Sequence, residues 1–332
     1  MPVALIVPEA MRPKDTPYAA ILREAGFEVI YPEEVQLARG RAGEAQLIKE
    51  MSGVHAVIAG GGEAYTPEVI AALPHLRVIA RAGVGYERVH VLAATKRRIA
   101  VTITPTANHE GVAEHALAML FAAAKFVVEG DKQLRAGVWS RVMTQPIRGK
   151  TLGILGLGRI GRSLAVRAKA LGMQVLVCEK FPNRDFLQAQ QIELAELNDV
   201  LARSDYLSLH CPLMEDTFGL INRDTLARMK PGSTLINTAR GGLVVEAHLL
   251  EALQSGHLRA AALDVFEQEP ATADNPLFKL PNVVVSPHLA GADYLSLENM
   301  GIESAQNIVA LSQNRWPDGA VVNEEVRADW KW

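Results

Sequence analysis

Between Thr151 and Lys180 the chain reads TLGILGLGRIGRSLAVRAKALGMQVLVCEK. Apolar residues alternate up to Leu155. Three glycines then fall within six positions, at Gly156, Gly158 and Gly161, before a helical stretch and a second apolar run. Glu179 closes that run, 18 residues past Gly161. G-x-G-x-x-G alone is weak. Between a strand and a helix, with an acid at the end of the next strand, it is a strong dinucleotide-binding signature. Gly156 makes the tight turn, Gly158 lets a pyrophosphate approach the backbone, and Gly161 lets the helix pack close to the strand. The helix N-terminus then faces the phosphates with free N–H groups and a positive dipole end. Glu179 is placed to accept hydrogen bonds from a ribose 2′-OH and to repel a 2′-phosphate, which favours NAD over NADP. Lys180 beside it softens that exclusion. A tight turn without a ligand is the competing reading, and the acid and both flanking elements weigh against it.

The surrounding chain carries the same alternation. Val3–Val7, Phe27–Ile30, Ala56–Ala59, Arg77–Ala80 and Ile99–Thr102 read as strands, with helical stretches between them. Thr16 before Pro17, and Thr66 before Pro67, are cap-then-proline helix starts, and Gly26 is a stop. A long apolar helix is expected over Gly111–Gly130. A second series follows, with strands TLGILG, QVLVC, YLSLH, STLIN, AALDV and VVVSP. Strand and helix in strict alternation imply parallel sheets covered on both faces. The expected class is α/β, with two doubly wound parallel-sheet domains. Tyr294–Ser312 reads as a helix with no strand after it and is expected to cross back to the first domain.

The 332 residues, 49% hydrophobic and 21% charged, are ordinary globular composition and fit two domains. A net charge of −3 with evenly spread acids and bases argues against a nucleic-acid groove or a membrane-binding basic patch. Cys178 and Cys211 cannot make a disulfide framework, so a reducing, cytoplasmic setting is expected. MPVALIVPEA breaks at Pro8 without a basic leader and reads as a first strand rather than a signal peptide. No His, Cys or acid spacing suggests a metal site.

Ligands of such sheets bind past the C-terminal ends of the strands. Arg240, Asp264 with Glu269, and His288 all stand just past strand ends. Hydride transfer to a 2-oxo acid needs a proton donor at the carbonyl oxygen, and histidine serves near neutral pH. A carboxylate beside it favours the imidazolium. An arginine binds the substrate carboxylate and polarises the carbonyl. The competing readings are a satisfied loop histidine for His288 and a solvated acid for Glu269. Gly241 and Gly242 after Arg240 suggest that the backbone comes close to something. His115 reads as core or interface, His109 as a cap neighbour, and His210 as lining the cofactor groove.

GILGLGRIG, HCPLMEDTFGLIN, MKPGSTLINTARGGLV, ALDVFEQEP and NVVVSPHLAG together resemble the D-isomer-specific 2-hydroxyacid dehydrogenases, in the D-3-phosphoglycerate dehydrogenase-like branch. The resemblance runs over nearly the whole chain. It implies a Rossmann NAD-binding domain (101–291) inserted into a flavodoxin-like substrate domain (1–100 and 292–332), and a homodimer held largely through the nucleotide domains. It implies Arg240, Glu269 and His288 as catalytic residues. Gly156, Gly158, Arg159, Ile160, Gly161, Glu179, Cys211, Pro212, Thr238, Ala239, Asp264 and Ala290 would contact NAD. RAGVGYERV resembles the family's substrate loop, with Arg81 and the amides of Val84 and Gly85, together with Arg240, on the substrate.

Departures from the family pattern bear on specificity. The loop continues Tyr86-Glu87-Arg88 where Asp-Asn is usual, and Thr106 stands where glycine is frequent. Gly60, Gly61, Gly62 and Glu63 occupy the stretch where the phosphoglycerate branch has an arginine near position 60. A carboxylate there would repel a phosphate, so an unphosphorylated acid is expected, with glyoxylate or hydroxypyruvate reduction as the specific alternative. The three glycines could also make room for a larger substrate, and Glu63 could bind a hydroxyl or an amine. With the chain ending at Trp332, a regulatory domain responding to serine is not expected. A non-catalytic NAD-sensing protein of this fold is the remaining alternative, and the full catalytic trio speaks against it. The RADWKW tail could pack on a partner.

Overall fold

The structure, a computed structural model, describes residues 1–13 and 15–332. The chain divides into two compact units, Met1–Asn108 with Ala292–Trp332, and His109–Gly291.

The first unit runs β1 (Val3–Ile6), α1 (Pro17–Glu24), β2 (Glu28–Ile30), α2 (Val35–Ala38), α3 (Glu44–Glu50), β3 (Ala56–Ala59), α4 (Pro67–Ala72), β4 (Val78–Arg81), α5 (Val91–Lys96) and β5 (Ala100–Thr102). Its sheet has the order β2-β1-β3-β4-β5 with every pair parallel, the flavodoxin-like order. β3 and β4 are buried throughout, as strands of a sheet covered on both faces should be, although β4 ends on Arg81. The Thr16 and Thr66 hydroxyls accept from the Ala19 and Val69 amides at 3.4 and 3.3 Å. Each is followed by proline at the first helical position, where its missing N–H costs nothing.

The second unit runs α6 (His109–Lys125), α7 (Val127–Arg135), β6 (Thr151–Leu155), α8 (Arg159–Ala170), β7 (Gln174–Cys178), α9 (Arg184–Gln190), β8 (Glu193–Leu194), α10 (Leu197–Arg203), β9 (Tyr206–Leu209), α11 (Arg223–Arg228), β10 (Thr234–Asn237), α12 (Glu246–Gln254), β11 (Ala260–Leu263) and β12 (Val283–Val285). Its order is β12-β11-β10-β9-β6-β7-β8, again all parallel. Counted from β6 this is the dinucleotide-binding order with one strand added after the sixth. The order reverses between β6 and β9, where a ligand crevice is expected.

α13 (Tyr294–Ser312) returns to the first unit. Met300, Ala305, Ile308 and Leu311 pack with Ile6, Leu22 and Ala80, and Gly301 lets the Tyr18 ring lie against the helix. The following segment lines the edge of β5: the Val322 amide donates to Val101 O at 2.8 Å. Buried Asn323 accepts from the Val101 amide at 2.9 Å and donates to Ile99 O at 2.9 Å and Thr95 Oγ1 at 3.0 Å. The aromatic tail packs on its own unit. Trp330 Nε1 donates to Leu311 O at 3.1 Å, and the Trp332 ring meets Phe27 edge-on at 5.6 Å.

Three expectations are corrected. The boundary at 100/101 cuts through β5, whose pairing with β4 keeps the chain in the first unit to Asn108. The helix expected over Gly111–Gly130 is two helices, broken at Phe126 in the left-handed conformation, φ 58°. α6 buries Val112, Ala116, Met119 and Leu120, whereas α7 buries no residue, so no packing face continues across the break. β8, two residues long, was not anticipated because it is too short to show alternation. Among the described residues no single helix is long and apolar enough to cross a membrane.

Candidate active site

The glycine turn lies between β6 and α8. Gly156 has φ +99°, and a Cβ there would stand 2.6 Å from the Cys211 amide nitrogen and the His210 carbonyl carbon. A Cβ on Gly161 would collide with the Gly156 carbonyl, so α8 can seat on β6 only with glycine there. Around Gly158 nothing lies within 4 Å of a Cβ. Gly158 is also the N-cap of α8 and gives no side-chain cap. The first-turn amides, beginning with Arg159 and Ile160, therefore face open space at the positive end of a three-turn helix. That is a phosphate-binding arrangement.

Glu179 follows β7. One carboxylate oxygen accepts from the Leu157 amide at 2.5 Å and the other from the Phe181 amide at 2.9 Å, which holds the acid against the turn. Lys180 pairs with Asp216 at 3.2 Å. After β9 come His210, Cys211 and Pro212. Burial pushes the His210 imidazole down to about 4 and the Cys211 thiol up to about 11, so both are neutral at pH 7. His210 shares Nε2 with Ser208 Oγ at 2.8 Å, and its enclosed Nδ1 has no partner among the described residues. The Thr238 hydroxyl after β10 is likewise buried without a partner. Enclosed unsatisfied groups are uncommon. Together with the uncapped turn they fit a polar dinucleotide lying along this crevice.

The Asn237 side chain shapes the turn that presents Arg240. It accepts from the Ala239 amide at 3.0 Å and donates to Arg240 O at 2.8 Å. Gly241 has its own reason: a Cβ there would run into the Phe266 carbonyl. The close approach expected after Arg240 is thus made by the loop that carries Glu269, not by a ligand. On that loop Glu269 Oε1 accepts from the Phe266 amide at 3.0 Å, and Oε2 meets His288 Nδ1 at 2.8 Å. The hydrogen bond and charge of Glu269 outweigh burial and the Arg240 charge and raise the His288 pKa. Burial alone would raise Glu269, but the His288 contacts, the Phe266 amide and the Arg240 charge hold it below its usual value. The structure thus brings Arg240, Glu269 and His288 together at the C-terminal edge of one sheet.

Asp264 is fully buried. It accepts from Ser286 Oγ at 2.5 Å and from the Leu289 and Ala290 amides at 2.8 and 2.9 Å. Burial opposes its ionisation, but these bonds and His115 keep its pKa low. His115, taken from sequence as core or interface, lies in this network at 3.0 Å from Ser286 Oγ and 3.5 Å from Asp264 Oδ1. A polar residue among the buried positions of an apolar helix was its only sequence signal. His109 is the first residue of α6 and pairs with Glu110 at 3.3 Å.

In the first unit Arg81 is buried. Its guanidinium donates to Gly85 O at 3.0 Å and Ala59 O at 2.6 Å, so it shapes the 82–89 loop. The Ala82 and Gly83 amides donate to Ala59 O and Thr104 Oγ1. The Val84 and Gly85 amides have no acceptor among the described residues. Glu63 is 4% exposed and folds over Gly60, where a Cβ would stand 3.1 Å from its Oε1. Burial raises its pKa. Gly62 and Gly40 approach so closely that neither tolerates a Cβ. Glu63 therefore presents no exposed charge to a ligand. The glycines at 60 and 62 serve loop packing rather than making room.

A sequence profile described as D-isomer specific 2-hydroxyacid dehydrogenase, NAD binding domain, matches residues 117–290, just over half of the chain. The chain belongs to the D-isomer specific 2-hydroxyacid dehydrogenases. It is 45% identical to D-3-phosphoglycerate dehydrogenase of Mycobacterium leprae (strain TN) over 271 residues, 79% of this chain and 51% of that one. It is 36% identical to glyoxylate reductase of Pyrococcus furiosus over 313 residues, 91% of each. Among solved structures, the NAD-dependent formate dehydrogenase from Staphylococcus aureus in complex with NAD superposes with TM-score 0.81 at 28% identity, covering 97% of this chain and 99% of that one. The chain spans about half the length of the curated D-3-phosphoglycerate dehydrogenases it matches. Within this family the second unit is the NAD-binding domain, and NAD is its cofactor.

Proposed function

We propose that the protein is an NAD(H)-dependent D-2-hydroxyacid dehydrogenase that reduces a short, unphosphorylated 2-oxo acid. The observation that carries this reading is the His288–Glu269 contact at 2.8 Å, near Arg240 and in the same unit as the open glycine turn. NAD would lie with its phosphates at the Arg159 and Ile160 amides and its adenosine ribose near Glu179, and its nicotinamide would supply or accept the hydride. A carboxylate only accepts, so His288 Nδ1 carries the proton shared with Glu269. Nε2 is then the atom that gives a proton to the carbonyl oxygen in reduction and takes it back in oxidation. The Arg240 charge stabilises negative charge growing on that oxygen. The Val84 and Gly85 amides suit a carboxylate, with Arg81 holding their loop through Gly85 O.

Glycine at position 60 supplies no cation for a phosphate, which favours glyoxylate or hydroxypyruvate over 3-phosphohydroxypyruvate. Relative rates with these three acids test the assignment, and a preference for the phosphorylated one would refute it. We further propose a homodimer formed through the NAD-binding unit, in a cytoplasmic setting. Trp139 and Met143, exposed by 78% and 89% on the irregular stretch after α7, support a covered face there. Trp139→Ser with Met143→Ser should shift sedimentation toward monomer. An unchanged dimer would remove this stretch from the interface.

A further inference from the structure

We infer that His115 on α6 is a positioning residue for His288, acting through Ser286 and Asp264; the inference rests on reading His288 as the proton donor. The Ser286 hydroxyl has one proton, and its 2.5 Å contact with the acceptor-only carboxylate of Asp264 uses it. His115 Nε2, 3.0 Å from the same oxygen, must then be the donor. The relay runs from His115 Nε2–H to Ser286 Oγ–H to Asp264 Oδ1. Asp264 in turn fastens both sides of His288. Its carboxylate takes the Leu289 and Ala290 amides, and its carbonyl takes the His288 amide at 2.8 Å.

That fastening has a physical task. His288 has φ 54°, in the left-handed region that non-glycine residues enter only when their surroundings hold them. Besides Asp264 O, the His288 amide has among the described residues only Ser286 O at 3.1 Å, within the same short loop. Asp264 holds the loop from outside, and α6 braces Ser286 and Asp264 in turn, through His115 and through Met119, whose sulfur lies 3.4 Å from Ser286 Oγ. The charged groups acting on His288 are Glu269, Arg240 and Asp264, and those on Asp264 include His115 and His288.

The test follows the His288 ring by proton NMR across pH, its signal assigned by loss in His288→Gln, alongside steady-state kinetics. Wild type is compared with His115→Phe, which keeps bulk without a donor, and with His115→Gln, which restores an N–H. In His115→Phe the His288 midpoint should fall toward the ~6.5 of a free imidazole. The kcat should drop by about tenfold or more, as small displacements of catalytic groups do, with KM for the oxo acid nearly unchanged. His115→Gln should recover both. Ser286→Ala cuts the same relay from the other side and should reproduce the His288 shift. A lowered melting temperature with wild-type midpoint and kcat would show His115 to be packing only. If wild type reduces no 2-oxo acid, the proposed reaction fails, while the NMR midpoint still decides the positioning role.

Discussion

Replacing Glu269 by glutamine tests the dyad with almost no change of shape. The amide can still accept from His288 Nδ1, but the negative charge at 2.8 Å is gone. A hydrogen bond to an ionised partner contributes about 1.5–3 kcal/mol. The side chains are 51% and 35% exposed, so solvent screening reduces the ionic part. We take about 1–1.5 kcal/mol of the preference for the imidazolium as lost, which lowers the His288 pKa. In the proposed reaction reduction needs protonated His288, so its rate should fall as pH rises through the raised pKa. In Glu269→Gln that alkaline limb of kcat/KM should move toward acid. On the alkaline side of that limb, NADH oxidation at 340 nm should then be slower, relative to its own plateau, than in wild type. A limb that stays where it is in wild type would refute the dyad as the source of the profile. The same pair sets a stability window. The His288 contribution is full below its ordinary 6.5 and fades as pH rises through the raised value. The Glu269 contribution is full above its ordinary 4.5 and fades as pH falls through the lowered value.

The glycine turn predicts a contrast. Gly161→Ala drives a methyl into the Gly156 carbonyl and should lower the melting temperature along with NAD affinity, whereas Gly158→Ala has room for its methyl and should weaken NAD binding by calorimetry while leaving the fold intact. Asn323→Ala leaves the Val101 amide and the Ile99 carbonyl unpaired in a buried setting, at about 1–3 kcal/mol each, which urea unfolding should register as a lowered midpoint. Glu179→Ala removes the acid held at the turn and should narrow the gap between NADH and NADPH rates, whereas an unchanged ratio would place cofactor discrimination elsewhere.

What sequence could reveal here depended on range. The glycine turn was legible because its three constraints lie within six residues, and strand ends were legible because buried parallel strands are unbroken apolar runs. Arg240, Glu269 and His288 could be picked out as ionisable residues at those ends. The relay through His115 was not, because its partners are 149 and 171 residues away and only the packing of α6 on β11 and β12 joins them. Glu63 was misread for a related reason. Its neighbours in sequence suggested an open loop, but Gly62 packs against Gly40 and the Glu63 carboxylate is buried against Gly60. The helix break at Phe126 follows from the end of α6's buried face, which composition alone does not mark.

In the proposed reaction His288 with Glu269 passes a proton to a 2-oxo acid while NADH gives the hydride. The decisive experiment compares initial rates of NADH oxidation at 340 nm with glyoxylate, hydroxypyruvate, pyruvate and 3-phosphohydroxypyruvate in wild type and His288→Ala. Wild type should turn over an unphosphorylated acid, and His288→Ala should lower that rate by at least about a hundredfold. Turnover that survives His288→Ala unchanged, or none with any of the four acids, would contradict the proposed reaction.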